Sequence, residues 1–205
     1  MITDTLLQKI VASARISEMM AWPIDFDVAE PLDDSWFQIR PDIGRQAIAQ
    51  DGTGGIFAFL GSGTSENRPV LFISSEGQAG LIATTLSEAL QLMIALPHWR
   101  NCLKFSGGGK LEEMQRVVPF SELEIREDEP DIDALRAELF NGLGLIKPIN
   151  ALEKLHSCLC DTSYRYQILA TDDSEFASLF GDLIIEDNPS WKVIAPAASR
   201  KNSDL

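Results

Sequence analysis

Apolar and polar positions follow two periods along this chain. Leu6, Leu7, Ile10, Val11 and Ala14 recur at the three-and-four spacing of an amphipathic helix, with Thr3 or Asp4 placed to cap it. The pattern predicts one helix from about Asp4 to Met20. Trp22-Pro23 and Pro31 break the regularity that follows. Met19, Met20, Trp22, Ile24 and Phe26 are apolar enough to clamp this segment onto a core.

From Ser35 the runs shorten. Ser35 to Ile39, Gln46 to Gln50, Ile56 to Leu60 and Pro69 to Ser75 read as strands. The turns between them are Asp51-Gly52-Thr53-Gly54-Gly55 and the glycine-rich stretch Gly61 to Asn67, and Glu76 to Gly80 reads as a further break. Strands joined by turns this short pair antiparallel, because a parallel crossover needs about a dozen residues or more. Ala83 to Leu96 ends the sheet and opens a helix capped by Thr85 or Ser87, apolar enough to pack on the sheet, and Pro97 stops it. Strands followed by helices predict an α+β fold, a central antiparallel sheet flanked by helices.

The second half is less regular. Gly107-Gly108-Gly109 reads as a flexible separator before a short helix, Leu111 to Val118. Glu122, Glu124, Glu127, Asp128, Glu129, Asp131 and Asp133 then form the densest charge run, offset by Arg126. It reads as a solvated linker leading into the negative first turn of a helix over Ile132 to Phe140. Ile149 to Leu155 reads as helix, Tyr164 to Ala170 as strand, Ser174 to Phe180 as a short helix and Trp191 to Ala195 as a final strand. A small, polar tail beyond Pro196 reads as frayed.

Composition changes this picture mainly through charge. The chain has 205 residues, with 17 Lys and Arg against 31 Asp and Glu, a formal net charge of -14. Its length allows a full core without disulfides or metal. An acidic surface repels phosphate backbones and anionic lipid, so neither nucleic acid nor membrane is an expected partner; a basic protein is. No apolar run approaches the roughly 18 residues that suggest a membrane span, and the acidic start Met1-Ile2-Thr3-Asp4 lacks the pattern of a secretion signal. The odd set Cys102, Cys158 and Cys160 fits reduced thiols in a cytoplasm.

The motifs for chemistry fall short. Gly109-Lys110 resembles the end of a phosphate loop, but Leu111 stands where Ser or Thr would hold magnesium and Lys104 where a glycine belongs. Gly61-Ser62-Gly63 lacks its third glycine, since Glu66 stands there. No Gly-x-Ser-x-Gly elbow is present, and the only histidines are His98 and His156. His98 and Cys102, four apart, read as a boundary histidine beside a buried thiol. His156-Ser157-Cys158-Leu159-Cys160 offers three ligands at awkward spacing without a second pair, so neither a metal nor another cofactor is expected.

One stretch carries a likeness. Ile48 to Phe59, with its strand, glycine turn and apolar strand, resembles the heart of the SUKH superfamily of fungal cell-wall-synthesis regulators and bacterial toxin-immunity proteins. Thr85-Leu86-Ser87-Glu88-Ala89-Leu90 resembles that family's later helix start, and Trp22-Pro23 with the preceding helix its N-terminal portion. The likeness spans about Asp4 to Leu96. It implies a SUKH-like α+β core over residues 1–97 and a C-terminal elaboration over 98–205 packed on the same domain. It also implies no shared catalytic constellation.

By that likeness the chain is expected to be a non-enzymatic protein-binding module that neutralises a basic toxin domain. The contact residues expected are Asp51, Ser74, Ser75, Glu76 and Gln78 in the sheet-edge turns, then Glu127, Asp128 and Glu129 in the acidic run. Two other readings stand beside it. One is an intracellular scaffold of the cell-wall-regulator type. The other is an enzyme or small-ligand protein with a pocket between sheet and C-terminal section.

Overall fold

The computed structural model describes residues 4–28, 32–64 and 67–192, with the side chains of 163, 164 and 192 outside that set. The chain begins with a cap. The Asp4 carboxylate accepts the amides of Leu6 and Leu7 at 2.8 and 2.9 Å and starts helix α1 (Thr5–Ala12). The single helix expected up to Met20 is in fact two. Ser13 adopts an extended conformation, closing α1 and opening α2 (Ala14–Ala21), whose Ile16 amide it accepts. A serine hydroxyl that competes for local backbone groups explains the break.

The four strands expected between Ser35 and Ser75 form, the one expected from Tyr164 begins only at Gln167 because a helix runs on to Arg165, and strands and helices together make an α+β fold. β1 (Phe37–Arg40) is followed by β2 (Arg45–Gln50), β3 (Ile56–Leu60), β4 (Val70–Ile73) and β5 (Gln78–Ala83). β2 to β5 make an antiparallel meander, and β7 (Ala177–Ser178) adds a short parallel edge beside β5. β1 instead leaves this sheet and pairs antiparallel with β6 (Gln167–Ala170).

That ribbon explains why Ile56 to Leu60 is apolar without alternation. Both faces of the sheet are covered, so every residue of β3 is buried. Phe57, Phe59, Val70 and Phe72 pack among residues of the helices α3 (Leu86–Ala95), α4 (Trp99–Lys104), α5 (Leu111–Asp128), α6 (Ile132–Leu143) and α7 (Ala151–Arg165). Ile56, Ala58, Leu60, Leu71 and Ile73 pack instead with Phe37, Ile39 and Ile168 of the ribbon. The helical core draws on residues from Leu7 to Trp191, so both halves of the chain build it. Thr85 caps α3 by accepting the Glu88 amide at 3.1 Å.

Four local expectations are corrected. Glu76 to Gly80 is not all turn, since Gln78 already begins β5. Gly80 is there because α7 crosses it: a Cβ would lie 2.4 Å from the Leu159 side chain. The expected acidic linker is helix, because α5 runs through Pro119 to Asp128. Ser174 to Phe180 is extended rather than helical. Asp172 accepts both the amide and the hydroxyl of Ser174, making a turn that folds the segment back on β6, where the Phe176 amide meets the Ile168 carbonyl at 2.9 Å. Trp191 sits in a short helix, α8 (Pro189–Lys192), its ring 4.8 Å from Phe105 and 5.4 Å from Phe120. Residues 193–195 of the expected last strand and the tail lie outside the described residues, as does Thr3.

The glycine triplet is a docking point. Gly107, Gly108 and Gly109 all have positive φ, as their turn requires. The Gly107 amide donates to the Leu183 carbonyl and that of Gly108 to the Gly181 carbonyl, at 2.8 and 2.9 Å. These bonds fasten a strap, residues 179–183, against the end of α4. Gly181 completes the fit: its amide donates to the Leu103 carbonyl, and a Cβ there would lie 2.4 Å from the Lys104 carbonyl oxygen. Among the described residues no helix is long and apolar enough to cross a membrane.

Gly181→Ala forces a methyl carbon against the Lys104 backbone, so it should cost about 2 kcal/mol. Urea unfolding checks this; an unchanged midpoint would show that the strap is loosely held.

Candidate functional site

Meander connectivity places the β2–β3 and β4–β5 turns at the same end of the sheet. The first turn is organised by Asp51, which is 4% exposed. Its Oδ1 accepts the Thr53 amide at 2.9 Å, the Thr53 hydroxyl at 2.8 Å and the Gly55 amide at 2.7 Å. The Oδ2 accepts from the Arg100 guanidinium of α4 at 2.6 Å. A carboxylate this buried needs such partners, because desolvating an unpaired charge is costly.

Arg100 also pairs with Asp25, in the segment after α2. Asp25 has a positive φ of 63°, and its Oδ1 accepts the Gly52 amide at 2.7 Å. The guanidinium carbon lies 5.6 Å from the Phe72 ring centre and 5.7 Å from that of Trp99. One cation therefore joins the N-terminal segment, the first turn and α4.

Beside this bridge opens a cleft of about 430 Å³. Asp51 and Thr53 line it from the first turn, and Phe72, Ser74, Ser75, Glu76 and Gln78 from β4 and the second turn. Arg100, Asn101, Leu103 and Lys104 of α4 face them, and Leu179, Gly181, Asp182 and Leu183 of the strap close the remaining side. All five turn residues expected at a contact surface therefore converge on one cavity. The cavity also lies between sheet and C-terminal section, where the small-ligand reading placed one. Ser74 is engaged within its turn, its hydroxyl accepting the Gln78 amide at 3.1 Å; Ser75 and Glu76 are exposed.

The acidic run is not brought into the cleft. Glu122 binds Arg136, which is 8% exposed, through both carboxylate oxygens at 3.0 and 2.7 Å. Glu124 accepts the Trp191 indole N–H. Glu127 and Asp128 are exposed on the last turn of α5, and half-buried Glu129 follows it. Arg100, Asp25 and the strap were missed at the sequence level, and no local signal marks them.

Other chemistry finds little support in the geometry. Asp51 holds four hydrogen bonds, all to groups of its own turn and to Arg100. His98 and Cys102 line a second, small cavity with Ser121, and no hydrogen bond joins them among the described residues. Burial pushes the His98 pKa down, against the pull of Glu124, Asp128 and Glu122, and Arg100 lowers it further. Burial pushes the Cys102 thiol up to about 12 and the Cys158 thiol to about 11, the latter with help from Glu88 and Asp161. The His156 Nε2 lies 2.9 Å from the Gly109 carbonyl oxygen, so the imidazole braces the glycine turn. The Cys160 sulfur is 3.8 and 3.9 Å from the two ring nitrogens. Among the described residues no group of three or more His, Cys, Asp or Glu is gathered as a metal site needs.

Comparison with protein-family models, curated proteins and solved structures gives no match to this chain.

Arg100→Leu leaves Asp51 buried beside no counter-charge. The cost should be about 2 kcal/mol in urea unfolding, less than for a fully buried pair because a third of the Arg100 side chain is exposed. Adding Asp51→Asn should recover part of the loss, since the amide oxygen still accepts from Thr53 and Gly55. Equal losses in the single and double variants would contradict the charge argument.

The Cys102 thiol gives a pH signature. Its proton is held more tightly in the folded chain than at the ordinary value of 9.0, so this contribution to stability is whole below pH 9 and drains away as pH rises toward 12. The stability difference between wild type and Cys102→Ala should shrink between pH 9 and 11. A constant difference would mean the thiol meets solvent.

Proposed function

We propose that this chain is a non-catalytic protein-recognition module of the immunity type, which binds and masks a basic protein at the turn end of its sheet. One observation carries the reading. The five turn residues expected at a contact surface, Asp51, Ser74, Ser75, Glu76 and Gln78, meet on a single cleft. The likeness to the SUKH superfamily rests on the quoted sequence stretches alone, and it supplies the toxin-neutralising role. The excess of 31 acidic over 17 basic side chains favours docking with a cationic surface, by speeding encounter and disfavouring acidic competitors.

The same cleft supports a second reading. Its volume falls within the roughly 300–1,000 Å³ typical of small-molecule sites, and polar groups from four segments converge on it. A receptor or enzyme for a small polar molecule would use the same walls.

Affinity capture from the native host separates the two. The recognition reading expects one basic protein in stoichiometric amount, lost when Glu76 and Ser75 are both changed to Lys. If no protein is captured while a metabolite raises the melting temperature of the wild type and not of the double variant, the small-molecule reading replaces it.

A further inference from the structure

The cleft contains more charge than its ion pairs engage. Of its acidic lining, Asp51 is neutralised by Arg100, whose own charge is shared with Asp25. Glu76, on the second turn, and Asp182, on the strap, are exposed and have no hydrogen-bond or ion-pair partner among the described residues. Lys104 is the one lining cation outside the bridge, and its ammonium lies 5.7 Å from the Phe105 ring centre. Taking pairs together, two carboxylates remain against one ammonium. Phe72, Leu103, Leu179 and Leu183 line the same cleft, the first three buried and the last 41% exposed.

From this arrangement we infer that the cleft receives an arginine side chain of the partner protein, its stem on the leucines and its guanidinium between the turn carboxylate of Glu76 and the strap carboxylate of Asp182. The inference rests on the protein-recognition reading and gives that site its ligand chemistry. Three features favour arginine. Its three-carbon stem covers apolar lining that a small inorganic cation would leave wet. Its planar, multi-donor head serves carboxylates on separate walls, which a point-like ammonium does less well. The neighbouring bridge already shows this chemistry, since Arg100 joins carboxylates from two segments while lying near Phe72 and Trp99. A neutral or anionic insert would leave Glu76 and Asp182 desolvated without a partner.

The test uses the full chain and three capped tripeptides, Gly-Arg-Gly, Gly-Lys-Gly and Gly-citrulline-Gly, titrated by NMR. The arginine peptide should move the amide resonances of residues 74–78 and 181–183 and bind about tenfold more tightly than the citrulline peptide, whose side chain has nearly the same shape without the charge. The lysine peptide should fall between them. In Glu76→Gln/Asp182→Asn the arginine advantage should vanish, while the circular dichroism melt of this exposed pair stays as in the wild type. If that variant is unfolded, loss of the advantage in 0.5 M salt provides the same check. Equal binding of arginine and citrulline peptides, or binding by none of them, overturns the inference. Equal binding of lysine and arginine overturns the guanidinium assignment. A partner captured equally by wild type and the neutralised variant would sink the arginine pocket and leave protein recognition standing. An arginine peptide that binds as expected to a chain that captures no protein would do the reverse.

Discussion

Arg100 is where three otherwise independent segments meet. Asp51 is nearly inaccessible, and the donors of its own turn reach only one of its two oxygens. The other must be met from outside, and among the described residues α4 supplies the group. That helix has six residues and no side-chain cap, too short to persist without its surroundings. It is fixed by Trp99, sunk in the core with 1% exposure, and by the double ion pair of the next residue. Displacing Arg100 would orphan a buried charge, so the position of the α4 wall is set by electrostatics as much as by apolar packing.

The opposite wall is held by different means. The strap is fastened through backbone groups: Gly107 and Gly108 donate to it, Gly181 donates to Leu103, and the Ser106 hydroxyl reaches the Gly181 carbonyl at 2.9 Å. Backbone bonds do not depend on side-chain identity at 182 and 183. The strap can therefore present an acidic and an apolar residue toward the cleft without using either to hold itself in place. The second turn has a similar division, with Ser74 and Gln78 closing it and Ser75 and Glu76 left outward. The groups that hold these short segments and the groups they turn outward are thus different atoms.

This division explains what the sequence discloses. The meander, the start of α1 at its Asp4 cap and α3 at its Thr85 cap are legible because each depends on neighbours a few residues away. Grouping Asp51 with Ser74 to Gln78 follows from antiparallel connectivity alone. The second wall is not legible, because Arg100 reaches partners 49 and 75 residues away and nothing local distinguishes it from any surface arginine. Gly80 misleads for a related reason: a glycine required by a crossing helix looks the same as one required by a turn. The acidic run misleads because the groups that engage its first members, Arg136 and Trp191, lie well downstream.

Net charge, finally, is a poor guide to where the field of this protein acts. Asp51, Asp25, Glu122 and Glu124 are engaged by donors or cations and contribute little beyond their neighbours. Glu127 and Asp128 are different. They lie on the last turn of α5, where the helix dipole disfavours anions by about 0.3–1 kcal/mol each, and they are exposed. Such charges act over a Debye length of about 8 Å in physiological salt, which governs encounter more than residence. Glu76 and Asp182 act at contact, where apolar cleft walls limit screening by water. On the proposed recognition reading the two sets would divide the work: the helix end would speed approach of a cationic partner, and the cleft would retain it once a side chain has entered.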